Sequence, residues 1–273
     1  MHSTVGRVAQ RTRRAPRASA VPCAGRLARP TYASDDDYLA AGQQAIAARA
    51  QRLGIVNSGR RPTQADLERV LSAVAQLRRS APQVTLCASL GELGIDQARR
   101  LRKAGLDRYH HNLETSPRVF EQMVTTHRFA DRLATLERAR AAGLGVCSGG
   151  LFGLGETWED RLELAMVLRD CVRPDAVPIN FLTPIPGTPL ADRPKLPAME
   201  ALCIIAVLRL VMPTADLRIC GGRLAVLGDL HSLVFAAGAS GLMTGDYLTT
   251  TGRRAEDDHR MIEALGLEVA GPG

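Results

Sequence analysis

Residues 147–156 read CSGGLFGLGE. A cysteine leads directly into a glycine-rich turn that closes on an acid. Just upstream, 141–146 read AAGLGV, the end of a helix, a glycine turn and a short strand, and TWEDRLELA follows as the opening of the next helix. Cys147 therefore stands at or near the C-terminal end of a strand, and the glycines after it let backbone approach a ligand with no Cβ in the way. In α/β proteins that end of the sheet is where chemistry is done. On this segment alone, a βα loop with a buried structural cysteine is an equally good reading.

Working outward, helix and strand signals alternate with little filler. Helices are expected over 35–50, 62–79, 96–104, 129–142, 157–170, 198–212, 228–237 and 256–265, with Thr63 as a candidate N-cap of the second. Strands are expected over 52–57, 84–89, 108–113, 145–149, 176–181, 217–220 and 241–244. Seven βα units at this spacing argue for a parallel sheet with right-handed crossovers, and one more strand would close it as a (β/α)8 TIM-type barrel. The first strand of such a barrel has no counterpart in 1–22, which show no strand pattern, so the barrel is expected to be incomplete. A doubly wound open sheet is the competing architecture. It is disfavoured because the polar and cysteine residues gather at the ends of many strands and not at one crevice.

Composition excludes several classes. No window approaches ~18 uninterrupted apolar residues, and mean hydropathy is −0.05, so a membrane protein is not expected. Six cysteines without close pairing point to a reducing compartment, taken as the cytoplasm, and to thiols or metal ligands in place of disulfides. The net charge of +7 is uneven: seven of the 35 basic residues and none of the 28 acidic ones fall in 1–34. The body of the chain is charge-balanced, which argues against a nucleic-acid partner. The arginine-rich start reads as an organellar transit peptide, a nucleic-acid-binding arm or an incidental extension, the last being favoured. The domain division is thus 1–34 as an extension and 35–273 as the folded barrel.

The strand ends list the candidate site. They carry Asn57, Ser58 and Gly59; Cys87 and Ser89; YHHNLETS over 109–116; Cys147; PIN over 178–180; and Arg218 beside Cys220. Soft sulfur ligands on separate strands suit an iron–sulfur cluster better than a hard cation. His110 and His111 are adjacent on a strand, so at most one of them faces the interior. Cys171 and Cys203 lie in helical patterns and read as buried small residues, while Leu242 and Met243 read as core. The segment GLGE lacks the third glycine that a dinucleotide loop requires.

From 52 to 267, about four fifths of the chain, the sequence resembles biotin synthase, a radical S-adenosylmethionine (SAM) enzyme of the biotin and thiamine synthesis group. The matching stretches are GIVNSGR (54–60), CASLG (87–91), AGLDRYHHNLETS (104–116), TTHRFADRLATLERARAAGLGVCSGGLFGLGE (125–156), VPINFLTPIPGTPL (177–190), MPTADLRICGGR (212–223) and LMTGDYLTTTGR (242–253). The resemblance implies a (β/α)8 barrel with two iron–sulfur clusters. One binds and cleaves SAM; an auxiliary cluster, 2Fe–2S or a variant, gives up sulfur to dethiobiotin, and a homodimer is usual. By position, Cys87, Cys147 and Arg218 match auxiliary-cluster ligands. Asn112 and Asn180 match positions contacting dethiobiotin or SAM, and Glu114 falls where a carboxylate meets the SAM ribose. Gly149, Leu151, Gly153 and Glu156 match the G-x-I-x-G-x-x-E segment along the adenine, with Leu151 for Ile.

Two departures accompany the resemblance. Gly54 stands where a third auxiliary cysteine is expected, and in relatives carrying the YHHNLETS version this cysteine also tends to be lost. The second departure concerns the C-x-x-x-C-x-x-C loop that supplies three thiolates to the SAM-cleaving 4Fe–4S cluster. It is expected just before Pro30, where VPCAGRLARP holds Cys23 alone. The expectation is a chain whose original N-terminal sequence was lost. It is either a dethiobiotin-converting enzyme disguised by a start or frame error, or an inactive truncated or degenerate relative that keeps part of the pocket. Another radical SAM branch, such as a hydrogenase-cofactor or thiamine-pathway maturase, is disfavoured by the combination of CSGG, VPIN, Cys87 and Arg218.

Overall fold

The computed structural model describes residues 50–57, 59–244 and 253–269, the backbone of Val5–Arg7, and Ala40, Gly42, Gln43 and Ala47. The strands are β1 (Val5–Arg7), β2 (Arg52–Val56), β3 (Thr85–Ser89), β4 (Arg108–His110), β5 (Gly145–Cys147), β6 (Gly150–Phe152), β7 (Val177–Phe181), β8 (Leu217–Ile219) and β9 (Gly241–Leu242). The helices are α1 (Gln64–Ser80), α2 (Ile95–Ala104), α3 (Pro117–Met123), α4 (Phe129–Ala141), α5 (Trp158–Val167), α6 (Ala198–Val211), α7 (Arg223–Leu227) and α8 (Ala255–Ala264). The helix expected over 35–50 lies mainly outside the described residues, as does the cysteine at position 23.

Every pairing is parallel, and each strand lies beside its neighbours in sequence: β1 to β5 form one sheet in that order and β6 to β9 a second. A doubly wound sheet reverses its strand order part-way. This one never does, so the winding is that of a barrel. The strand expected over 145–149 is split. Ser148 and Gly149 interrupt it, so β5 pairs with β4 and β6 pairs with β7. Single bridges from Glu114 to Gly150 and from Cys147 to Ala176 carry the pairing across the break. Counted as one kinked strand, β5 and β6 bring the total to eight. Among the described residues no pairing joins β9 to β1.

The expectation of a missing first strand is corrected at one element. Val5–Arg7 pairs in parallel with β2, Val5 opposite Arg52 and Arg7 opposite Gly54, in the place of the strand before β2. VGR has too little pattern to be read as a strand, and its pairing is supplied by the edge of β2.

Local chemistry explains the boundaries. Thr63 caps α1 as expected: its hydroxyl accepts from the Asp66 N–H at 3.2 Å, and the Asp66 carboxylate accepts from the Thr63 N–H at 3.0 Å. Helix α2 stops at Gly105, whose φ of 106° is open to glycine. Beyond α5 a single π-type turn, Leu168–Val172, widens the helix before Arg173 ends it at φ 49°. Two expectations fail here: Cys171 and Cys203 are exposed, not core. Cys171 falls in that widened turn. Cys203 shares a helical face with Met199 and Leu210, both exposed, while Leu202, Ile204, Ile205 and Leu208 face the sheet. Leu242 and Met243 are buried as expected.

Strands β2 and β3 alternate half-buried and buried residues. Leu53, Ile55, Leu86 and Ala88 are fully buried in the core shared with α1 residues such as Leu67, Val74 and Leu77. Arg52, Gly54, Val56, Thr85, Cys87 and Ser89 occupy the opposite face, the barrel interior. That alternation places the site.

Candidate functional site

Two thiols meet inside the barrel. Cys87 on β3 and Cys147 at the end of β5 are close enough for each to shift the other's ionisation, and neither forms a disulfide. The Cys87 thiol, opposed by burial and aided by the guanidiniums of Arg52, Arg108 and Arg218, brings the Cys147 thiol down to about 7. Its partner moves the other way: Cys147 and burial push Cys87 well above the ordinary thiol range. Ionisation of the pair is thus directed to Cys147, where one thiol and nearby cations favour the thiolate.

Register explains the gathering. Gly54 on β2 lies opposite Cys87, and Cys87 opposite Arg108 on β4; one step along, His110 lies opposite Cys147. Arg218 comes from β8, opposite Pro178 and Gly241, and is buried. Asp216 ties the set together. One of its oxygens, Oδ2, accepts from Arg52 Nη2 at 3.0 Å and from Arg218 Nε and Nη2 at 2.8 and 2.6 Å. Of these, Arg52, Arg108 and Asp216 escape a sequence reading. A charged residue on a short strand is normally taken for a solvent-facing one, and only the inward phase set by Cys87 marks them.

The second half of the site lies along the kink. Asn112 is buried, and its side-chain oxygen accepts from the Gly149 N–H at 3.1 Å. Glu114 adopts φ 72°, uncommon for a residue with a Cβ, and its carbonyl accepts from the Leu151 N–H at 2.6 Å. Its carboxylate accepts from Arg132 Nη2 at 3.1 Å. Arg132, on α4, also donates from Nε to the Asn112 carbonyl at 2.5 Å and lies 3.0 Å from His127 Nε2. One guanidinium thus fixes both Asn112 and Glu114 of the HNLE stretch. Its signal lay in the TTHRFADRLATLE motif, which was matched without being given a role.

Asn180 on β7 bridges the next seam, accepting from the Gly221 N–H at 2.9 Å and donating to the Gly150 carbonyl at 3.3 Å. Gly149 is required by close approach: a Cβ there would lie 1.9 Å from the Pro178 carbonyl oxygen. Gly149→Ala is expected to lower stability by about 3 kcal/mol, as overpacking against rigid backbone does. Urea unfolding measures it, and a variant as stable as the parent would contradict the close packing.

Glu156 stands differently from Glu114. Its buried carboxylate accepts from the Gly153 and Leu154 N–H groups at 2.9 and 2.7 Å and pairs with Arg161 at 2.9 Å. It shapes the glycine turn from behind. Leu151 is half-buried, and Gly153 holds φ 96°. The histidine expectation is met: His110 is half-buried beside Cys147, whereas His111 is buried with its ring stacked on Tyr109 at 6.4 Å.

The turn leads into α5, and Asp160 locks that helix to the HNLETS segment. It accepts from Thr157 N–H at 2.8 Å and Ser116 Oγ at 2.8 Å and pairs with Arg118. Burial pushes its carboxyl up, but these donors outweigh burial and hold it below the ordinary aspartate range. A depressed folded value adds stability that is present above the unfolded value and lost as pH falls through the folded one. Asp160→Asn should therefore be less stable at neutral pH, with a flatter loss of stability below about pH 4. Unfolding free energy measured against pH checks this; parallel curves for parent and variant would refute it.

Among the described residues no three His, Cys, Asp or Glu side chains gather as a metal site. What gathers is two thiols with guanidiniums. The wall has room for an inorganic group: a Cβ at Gly54 would meet nothing within 4 Å, and Arg108 Nη1 is buried with no hydrogen-bond partner. These residues fit an auxiliary iron–sulfur cluster. The 273 residues contain no C-x-x-x-C-x-x-C, so they do not fit the SAM-cleaving 4Fe–4S cluster.

Comparison with known proteins agrees with the architecture. Residues 23–168 match the Radical SAM superfamily, and residues 178–268 match the Biotin and Thiamin Synthesis associated domain. Among solved structures, methylornithine synthase superposes with a TM-score of 0.77 at 20% identity, covering 89% of this chain and 76% of that one. A maturase of the FeFe-hydrogenase superposes at 0.72 and 16% identity, over 88% of this chain and 57% of that one. Parallel singly wound strands, an interior thiol pair and the glycine turn thus define a radical SAM barrel protein.

The relatives narrow the class. Biotin synthase of Thermodesulfovibrio yellowstonii is 49% identical over 219 residues, 80% of this chain and 68% of that protein. Those of Nitratidesulfovibrio vulgaris and Desulfovibrio desulfuricans are 50% and 51% identical, covering 81% and 85% of this chain and 60% and 71% of those proteins. The chain belongs to the biotin synthase family, and it spans between 60 and 71% of the length of these relatives.

Proposed function

We propose that this chain is a dethiobiotin-binding member of the family whose interior holds an auxiliary iron–sulfur cluster, and that it does not itself cleave SAM. The observation that carries the reading is the Cys87–Cys147 pair, two facing thiols within electrostatic reach of Arg218 inside the barrel. Cys87, Cys147 and Arg218 hold the cluster, which when bound is the sulfur source for dethiobiotin in the family's reaction. Asn112 and Asn180 supply carboxamides suited to the polar ureido ring. Glu114, steadied by Arg132, faces the ribose hydroxyls of SAM, and Gly149, Leu151 and Gly153 offer a surface to the adenine while Glu156 keeps the turn in shape. The cysteine inventory favours an inactive relative over a working sulfurtransferase, because one thiolate at Cys23 cannot hold a SAM-cleaving cluster. No helix among the described residues is long and apolar enough to cross a membrane; a cytoplasmic placement and a homodimer are part of the proposal from the resemblance.

Anaerobic loading with ferrous iron and sulfide tests both halves. The expected protein retains iron and sulfide in a single kind of cluster, and forms no 5′-deoxyadenosine when SAM and a strong reductant are added. Formation of 5′-deoxyadenosine would overturn the second half, and a chain that retains no iron would overturn the first.

A further inference from the structure

Among the described residues, three guanidiniums stand near the thiol pair with an uneven supply of counter-charges. Arg52 and Arg218 share Asp216. Arg108 makes no ion pair among the described residues, and its Nη1 is buried without any hydrogen-bond partner. Guanidinium stays protonated at every working pH, so a half-buried one with an unpartnered interior N–H is costly unless something anionic comes to it. None of the described residues does. Strand pairing sets Arg108 directly opposite Cys87, and Cys87 in turn opposite Gly54. The three residues therefore form one row across adjacent strands. Gly54 is where the family resemblance expects a third thiolate, and the space in front of it is open. One side of Cys87 has thus lost an anionic ligand and kept its room, while the other side carries a cation with a free N–H. Arg108 also acts electrostatically on both thiols, as Arg52 does.

We propose that Arg108 is a positioning residue for the anionic group bound by Cys87 and Cys147, donating its unpartnered Nη1–H to a sulfide of that group and neutralising charge beside the place vacated at Gly54. This rests on the reading of the two cysteines as holders of an iron–sulfur cluster. No bond is made or broken in the step; a half-buried cation acquires its counter-ion, and the group acquires a charge-assisted hydrogen bond. A cation and a donor at the sulfides favour the reduced, more negative form of a cluster. Removing them should therefore lower its midpoint potential.

The test loads the full chain anaerobically with ferrous iron and sulfide. It then reads iron retained under a chelator, the visible spectrum and the midpoint potential, with circular dichroism of the unloaded protein as a check on folding. Arg108→Gln should retain iron about tenfold less well, the size expected for loss of a supporting contact to a metal group, and should show a more negative midpoint. Arg108→Lys keeps the charge and loses the planar fork, so it should show the weaker retention with a midpoint near that of the parent. Parental retention and midpoint in Arg108→Gln would overturn the proposal and leave the cluster reading intact. A parent that retains no iron would overturn both. Should Arg108→Gln fail to fold, Arg108→Lys decides, since parental chelator resistance in that variant would sink the role of the fork.

Discussion

Asp258→Ala should unfold about 3–5 kcal/mol more easily than the parent, the cost of leaving a buried charge without its partner. Asp258, on α8, and Arg223, at the first position of α7, are both fully buried and form a two-pronged pair at 3.0 and 2.7 Å. Around it, Arg253 lies 2.6 Å from His231 Nε2 and 3.8 Å from Asp258. The pair fastens the last helix to the segment that follows Cys220 and Gly221, the same Gly221 whose N–H is bonded by Asn180. Asp258→Asn should lose less, because it keeps an acceptor. The double variant Arg223→Met with Asp258→Leu should recover much of the loss, since a buried ion pair replaced by apolar groups is often neutral. Urea unfolding of the four proteins measures this, and an Asp258→Ala protein within about 1 kcal/mol of the parent would refute the arrangement.

Cys87→Ala and Cys147→Ala should each reduce retained iron and the visible cluster absorption to background. Each supplies one of the two thiols that face each other in the described interior, and a cluster left with one sulfur ligand and a guanidinium has no stable attachment. Cys171→Ala and Cys203→Ala should leave both readings at the parental level, because those thiols are on the surface. The comparison separates a specific interior cluster from iron held loosely by exposed sulfur. Retention of iron by the Cys87→Ala, Cys147→Ala double variant would refute the assignment.

Much of this molecule was legible in its sequence. The strands after β1 are legible within a few residues because their alternation and glycine punctuation are local signals, and the ordered run of βα units is enough to choose a barrel winding. What local pattern does not carry was missed. Helix α3 follows a Ser116 cap and opens on Pro117, a recognisable start, but is too short for an apolar period to emerge. The split between β5 and β6 is invisible in CSGG, because it arises from which neighbour each half pairs with. Cys171 and Cys203 were assigned by residue type, and helix phase decided otherwise. In the site, Cys87, Cys147 and Arg218 were named from the resemblance, and strand register then brought them together. Arg132 and Asp216 came only from the fold, since each acts on a residue distant in sequence.

The kink at Ser148 and Gly149 also bears on how the molecule comes apart. One continuous stretch of chain gives its first half to the sheet of β1 to β5 and its second half to the sheet of β6 to β9, with the bridges at Glu114 and Ala176 spanning the join. Loss of either sheet strips pairing from a segment that the other also needs. The two halves are therefore coupled in unfolding, and slow hydrogen exchange should be concentrated at the amides of 146–151 on the seam, where opening requires both halves to yield together.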